Sequence, residues 1–334
     1  MDGYSRISHY KTHLMGIAVM IVVYGHLLYY HSGLQNYEDL NWTEWYTLGS
    51  VEMFIFLSGF GIYHSLKRNR DAGQFYVKRL SRLLPSYLPV MLVWCAWNLF
   101  KGRMRVGEAV GNLTAMGWWF QTGNQFNWYV PATLILYLIS PLLFDAIERK
   151  KFGWAMAAMI VLNIAGWRSN LLMAVSRFPT YLLGMYFGCR YHQGLKPSKK
   201  EVVIWSVVGY AALAAVPYFF LIGRRYLWYY GMYWNEFFLS APLWMFCLTK
   251  VLELQERVLP GRILNRVWEF LGVRSFEIYL CHLALYDTML KHGTQGWPKW
   301  ILIAIAGTCI GILFHEVVDR ATKLWKARRK PAAA

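Results

Sequence analysis

The sequence is constrained most strongly by long apolar stretches that recur along the whole chain. Residues 17–30, 134–144 and 301–314 are examples, and the lysines and arginines gather in the connections between such stretches. A water-soluble core has no use for this arrangement, whereas a helix that crosses a bilayer needs about twenty consecutive, mostly apolar residues. We therefore predict an all-α fold, a polytopic transmembrane bundle of about ten helices.

Windows of about twenty residues give the positions of the predicted spans. They cover residues 13–30, 46–66, 83–100, 128–147, 152–167, 177–191, 202–222, 230–250, 270–290 and 299–318. The sixth is short enough to be tilted or partly re-entrant. Two connections are long enough to have structure of their own. The first, residues 68–82, is predicted to be a basic cytoplasmic loop. Residues 101–126 carry apolar positions at helical spacing and predict an external amphipathic helix.

The distribution of basic residues predicts the orientation of these spans. About 25 of the 35 lysines and arginines fall on one set of alternate connections, and about nine fall on the other set. Because cytoplasmic loops are enriched in Lys and Arg, the rich side should be cytoplasmic. An even number of spans follows, with both termini in the cytoplasm.

The net charge of +17 by itself would also suit a protein that binds nucleic acid. Here the basic residues occupy short connections between apolar spans, so anionic membrane lipid is the expected partner and nucleic acid is not. The five cysteines lie in or beside apolar spans without CxxC or Cys/His ligand spacing. We expect no disulfide and no metal site.

Two ionisable residues at membrane depth are the first functional candidates. His26 lies about five residues before the external end of the first span, and Glu52 lies about six residues after the external start of the second. Both should therefore sit roughly 8 Å below the outer surface, where they can pair. A carboxylate on one ring nitrogen would leave the other able to accept a proton from a hydroxyl, which predicts His26 as a general base and Glu52 as its orienting partner. The alternative is a hydrogen bond that only joins two helices.

A second polar group lies on the ninth span, where Arg274, Glu277 and His282 are candidates for a substrate site or a second polar site. Arg274 and Glu277 are three residues apart and share a helix face, so an internal ion pair is an equally valid interpretation. His315 and Glu316, near the cytoplasmic end of the last span, are interpreted as interfacial.

Several segments together resemble the acyltransferase-3 family of membrane acyltransferases. They are EMFIFLSGF at 52–60, KRLSRLLPSY at 78–87, WYV at 128–130 followed by YL at 137–138 and PL at 141–142, and GVRSF at 272–276 followed by YLCH at 279–282. The resemblance covers roughly residues 10–320, and a single transmembrane acyltransferase domain is expected over residues 1–330. The family's first span carries an Arg, ten intervening residues and a His thought to be catalytic. His26 fits the His, but Met15 stands at the Arg position, with only Lys11 and His13 as cationic substitutes nearby.

The resemblance implies transfer of an acyl group, acetyl or succinyl, from cytoplasmic acyl-coenzyme A to a hydroxyl of an extracytoplasmic or lipid-linked carbohydrate. Acyl-coenzyme A is then a co-substrate, with no permanently bound cofactor, and the expected location is a bacterial cytoplasmic (inner) membrane. For the donor site we predict Lys78, Arg79, Arg82 and Ser58. The three basic residues begin the third span on the cytoplasmic side, although their charge could serve topology alone.

Aromatic residues are concentrated on the predicted external face. Trp128 and Tyr129 are candidates for the acceptor site, because flat aromatic faces can stack on sugar rings. An interfacial belt accounts for most of the others, which are Tyr226, Trp228, Tyr229, Tyr233 and Trp234.

Two other functions fit parts of the pattern. A proton-coupled transporter or saccharide exporter would use His26 and Glu52 as a proton relay, and ten spans suit such carriers. A non-catalytic assembly subunit would keep the fold without needing His26. The sequence leaves the oligomeric state open.

Overall fold

The structure is a computed structural model that describes residues 1–31, 46–120, 127–166, 171–222, 232–290 and 296–328. Every regular element in these ranges is an α-helix, except for one 3₁₀ turn at Tyr46–Gly49. In chain order the α-helices are Gly3–His9 (α1), Lys11–His31 (α2), Ser50–Arg68 (α3), Ala72–Phe100 (α4), Val106–Leu113 (α5), Tyr129–Glu148 (α6), Phe152–Ala165 (α7), Leu172–Val175 (α8), Phe178–His192 (α9), Lys199–Ile222 (α10), Met232–Gln255 (α11), Leu259–Val273 (α12), Ser275–Leu290 (α13) and Trp297–Arg328 (α14).

The all-α prediction is confirmed for the described residues, and several helices have the length and composition of membrane spans. Six helices are long and apolar enough to cross a bilayer: α2, α4, α6, α10, α11 and α14. The predicted second, fifth, sixth and ninth spans correspond to α3, α7, α9 and α13, which are shorter or less apolar. The chain is therefore an all-helical protein with six candidate spans among its described residues.

The predicted basic loop at residues 68–82 is wrong for most of its length, because α4 begins at Ala72. The Asp71 side chain accepts a hydrogen bond from the backbone N–H of Gln74 (2.9 Å) and caps the helix there. Of the five basic residues in this segment, the three at positions 78, 79 and 82 therefore project from a helix.

The predicted ninth span is interrupted, since α12 ends at Val273 and α13 begins at Ser275. The side chain of Arg274 marks the break: its guanidinium donates to the backbone carbonyl of Phe270 (3.0 Å), one of the last carbonyls of α12. The amphipathic helix predicted between the third and fourth spans is present as α5, and it is shorter than expected, because Met116 lies beyond its end.

Two helix crossings are held at backbone contact by glycines. Where α2 crosses α12, a Cβ on Gly16 would collide with the carbonyl of Trp268, and a Cβ on Gly272 would collide with the carbonyl of Thr12. Where α3 crosses α9, Gly59 and Gly184 meet the partner backbone in the same way. Small residues allow such close approach, which lets van der Waals packing hold helices together inside a bilayer.

These two crossings hold α2 and α3, which carry His26 and Glu52. Helix α2 also packs against α3, α13 and α14, so His26 on α2 faces the helix that carries His282. Helix α4 packs against α13, α14 and α6. An open space remains where α2, α3, α4, α6, α13 and α14 come together.

Candidate active site

A cavity of about 750 Å³ lies between these helices and contains most of the predicted site residues. Its walls include Lys11, Met15, His26, Ser58, Gly61, Lys78, Arg79, Arg82, Ser86, Trp128, Tyr129, Tyr137, Glu277, Tyr279, His315, Asp319 and Lys326. A volume of this order is large enough for a substrate-sized ligand.

The composition of the cavity wall changes along each helix. On α4 the basic positions 78, 79 and 82 come first and Ser86 follows one turn later. On α2 the wall runs from Lys11 to His26, which are fifteen residues or about 22 Å apart along the helix. One end of the cavity is therefore strongly cationic, and the other holds an imidazole.

His26 forms a hydrogen bond with a second histidine. Its Nδ1 lies 2.9 Å from Nε2 of His282, and Nδ1 of His282 lies 2.7 Å from the carbonyl oxygen of Ile278. The carbonyl can only accept, so His282 carries its proton on Nδ1 and accepts from His26 through Nε2. His26 then holds its own proton on Nδ1 and its lone pair on Nε2. A neutral imidazole with this tautomer can take a proton from a hydroxyl.

The predicted hydrogen bond between Glu52 and His26 is wrong. Glu52 forms an ion pair with Arg177, the residue that precedes α9. The distance between Oε1 of Glu52 and Nε of Arg177 is 3.1 Å, and both side chains are 1% exposed. The Arg177 guanidinium also lies over the ring of Trp128, 4.7 Å from its centroid. Glu52 thus connects α3 to the start of α9 behind a cavity aromatic, and His282 orients His26 in its place.

A second polar group sits in the same wall and joins three helices. The Ser86 hydroxyl on α4 donates to Oε1 of Glu277 on α13 (2.5 Å), and Oε2 of Glu277 lies 3.0 Å from Nδ1 of His315 on α14. Arg274 takes no part, because it pairs with Glu316 and stacks on Phe270, 3.7 Å from the ring centroid. The interpretation of Arg274 and Glu277 as a shared internal ion pair is therefore wrong. His315, interpreted above as interfacial, lines the cavity and pairs with Glu277.

The basic residues of the cavity have no described acidic partner. Among the residues that the structure describes, the ion pairs involve neither Lys11 nor the three basic residues of α4. Asp319, which also lines the cavity, pairs with Lys323 at 2.6 Å. This end of the cavity therefore presents uncompensated positive charge, which suits a polyanionic ligand.

The remaining predicted residues divide between the cavity and other places. Ser58, Trp128 and Tyr129 line the cavity, as does Met15. His13 does not, and it packs edge-on against Tyr10 with 5.4 Å between ring centroids. The external aromatics of positions 226, 228 and 229 and the side chains of Tyr233 and Trp234 lie outside the described residues.

Sequence reasoning missed Ser86, Arg177 and His315 as members of this site. Ser86 lies within residues 78–87, four residues after Arg82, so helical spacing places it on the same helix face as Arg82. Arg177 is the first residue of the sixth predicted span. No signal in one sequence pairs it with Glu52.

Comparison with known proteins gives a consistent result. The family model described as "Acyltransferase domain", that of the acyltransferase-3 family, matches residues 13–316. Proteins of Staphylococcus aureus strains COL and MSSA476, each named "Putative O-acetyltransferase", are 25% identical over 322 residues. The alignments cover 83% of this chain and 52% of each relative, so the chain spans about half the length of the curated relatives it matches. No solved structure matches.

Proposed function

Because the chain belongs to the acyltransferase-3 family, we propose that it transfers an acyl group, acetyl first of all, from acyl-coenzyme A to a hydroxyl of a carbohydrate. The observation that carries this proposal is one cavity that joins a cationic end to the His26–His282 pair. The names of the Staphylococcus aureus relatives support an acetyl group and an oxygen acceptor. These relatives are about twice as long as the part that this chain matches, so their full activity is not transferred to this chain.

In the proposed reaction, Nε2 of His26 takes the proton from the acceptor hydroxyl while the hydroxyl oxygen attacks the thioester carbonyl carbon. The carbon–sulfur bond then breaks, and the departing thiolate takes the proton back from His26. Donor and acceptor end as a thiol and an ester, so no other proton source is needed. His282 accepts from Nδ1–H throughout, which fixes the ring and stabilises the transient imidazolium.

The acceptor would lie beside Trp128 and Tyr129, which line the same cavity as His26. The Trp128 face that contacts Arg177 is covered by the guanidinium, and the ion pair with Glu52 fixes that guanidinium. Such a rigid aromatic wall can stack on a sugar ring. This arrangement supports a carbohydrate acceptor, extracytoplasmic or lipid-linked.

The direct test is turnover by the purified protein. Acetyl-coenzyme A with labelled acetyl should pass its label to a bacterial saccharide or glycolipid acceptor in detergent or liposomes, and succinyl-coenzyme A should serve as a comparison donor. Movement of saccharide across the liposome membrane without any acylation would instead support the transporter with a His26 and Glu52 relay. Absence of both activities would support an assembly subunit.

We further propose ten spans with both termini in the cytoplasm of a bacterial inner membrane, on the basis of the charge asymmetry. Single cysteines in a cysteine-free background should report Lys150 and a position after Lys323 as cytoplasmic. A cysteine at Arg225, which lies outside the described residues, should react with an impermeant reagent from outside. Labelling of positions 150 and 225 from the same side would contradict this topology.

Donor binding at the cationic end gives a second prediction. Arg79→Ala and Arg82→Ala should each weaken coenzyme A binding by roughly tenfold or more, because each removes a charged donor to phosphate. The measurement is calorimetric titration of the purified variants. Arg149→Ala is the matched control, since Arg149 is exposed and does not line the cavity. Unchanged affinity in both cavity variants would leave these arginines with a topological role only.

A further inference from the structure

Gly61 on α3 provides the space that the Lys11 side chain occupies. A Cβ on Gly61 would collide with the Nζ atom of Lys11, and apart from Nζ and Cε of Lys11 no other neighbouring atom comes within 4 Å of that point. The missing side chain at residue 61 is therefore what lets the ammonium group lie against α3. Both residues line the cavity.

The ammonium group of Lys11 is placed among like charges. Lys11 is half-buried, and the charges that act on it are those of Arg82 and Arg79. The described residues give it neither an ion pair nor a hydrogen-bond acceptor. A partly desolvated cation that shares a cavity with two guanidinium groups is unfavourable until an anion joins it. A ligand that carries more than one negative charge would neutralise these cations together.

The distance from Lys11 to His26 indicates which anionic group Lys11 reaches. The two residues are about 22 Å apart along α2. In coenzyme A, about thirteen bonds join the nearer phosphorus of the pyrophosphate to sulfur, and at the reach of an extended backbone they span roughly 16 Å. The Lys11 side chain and the approach of the thioester to the imidazole account for the rest. The 3′-phosphate lies on the far side of the pyrophosphate, farther from the sulfur, and the comparison with dephospho-coenzyme A described below distinguishes the two groups.

We propose that Lys11, seated against Gly61, binds the pyrophosphate of the acyl-coenzyme A donor and thereby sets the distance of the thioester from His26. This inference rests on the proposed function, because it assumes a coenzyme A donor. It adds Lys11 as a positioning residue and a specificity rule: Lys11 recognises the diphosphate next to the pantetheine chain, and the arginines of α4 take the remaining negative charge of the donor.

The test compares Lys11→Met with the unchanged protein, both purified as the full chain. Titration calorimetry with coenzyme A and with dephospho-coenzyme A, which lacks only the 3′-phosphate, gives the affinity for each ligand. We expect Lys11→Met to weaken both by the same factor, roughly tenfold or more, because both ligands keep the pyrophosphate.

Gly61→Ala provides a second variant that leaves the lysine in the sequence. Its methyl group should displace the ammonium, so donor affinity should fall, and Gly61→Ala added to Lys11→Met should cause no further loss. Gly153→Ala on α7 is the matched control, since a Cβ there meets nothing within 4 Å. Melting temperatures of all variants separate loss of binding from loss of folding.

Three results would overturn the inference in distinguishable ways. Wild-type affinity in Lys11→Met would exclude Lys11 from donor binding while leaving the proposed function intact. A loss seen with coenzyme A and absent with dephospho-coenzyme A would assign Lys11 to the 3′-phosphate. Absence of coenzyme A binding by the unchanged protein would remove the donor assumption and the proposed function together.

Discussion

Replacing His26 by alanine should lower turnover by on the order of 10²-fold or more, with expression and coenzyme A binding retained. The imidazole is the group whose lone pair on Nε2 can take the acceptor proton, and alanine offers no substitute at that point of the cavity. The measurement is the initial rate of acetyl transfer at saturating donor, together with calorimetric donor affinity.

His282 provides the graded control for this experiment. His282→Ala removes the acceptor of the 2.9 Å hydrogen bond to His26 and leaves the base in place. Its turnover should therefore fall less than that of His26→Ala, since it loses ring orientation and not the base itself. A His26→Ala protein that acylates its acceptor at near the wild-type rate would refute the mechanism and transfer the role of base to His282.

Glu52→Gln should destabilise the protein by about 3–5 kcal/mol, because it leaves the guanidinium of Arg177 buried without the carboxylate that neutralises it. Both side chains are 1% exposed, so water cannot replace the lost partner. The expected observations are a lower melting temperature in detergent and a lower yield of folded protein. A role as orienter of His26 would instead reduce turnover at unchanged stability.

A double variant separates the effect of losing the whole Glu52–Arg177 ion pair from the effect of losing Glu52 alone. Glu52→Leu with Arg177→Met replaces both charges by apolar groups of similar size, a change that is often neutral in buried ion pairs. Folding should therefore recover relative to Glu52→Gln. If Glu52→Gln melts at the wild-type temperature, the ion pair contributes no net stability and the prediction is wrong.

The helices were largely predictable from the sequence because apolar windows measure length and hydrophobicity, which are the properties that a bilayer selects. The start of α4 was not predicted. A dense group of basic residues suggests a loop unless Asp71 is recognised as the residue that caps the helix. The break at Arg274 was also missed, since the apolar pattern continues across it without proline.

The site was predictable in its residue types and less so in its pairings. His26 follows from its depth and from the resemblance, and the cations of α4 follow from their position at the start of a span. Matching depth suggested Glu52 as the partner of His26, yet depth leaves the direction around the helix axis undetermined. The structure therefore pairs Glu52 with Arg177 and gives His26 to His282.

The glycine crossings described above separate the requirements of folding from those of chemistry. At Gly16, Gly272, Gly59 and Gly184 an added side chain would meet backbone, which has no rotamer with which to move aside. Most of the residues that touch the cavity face open volume, where side chains can be exchanged without moving a helix. A chain of this design can therefore change its donor or acceptor by substitutions in the cavity wall alone, while the glycines that hold the helices together are retained.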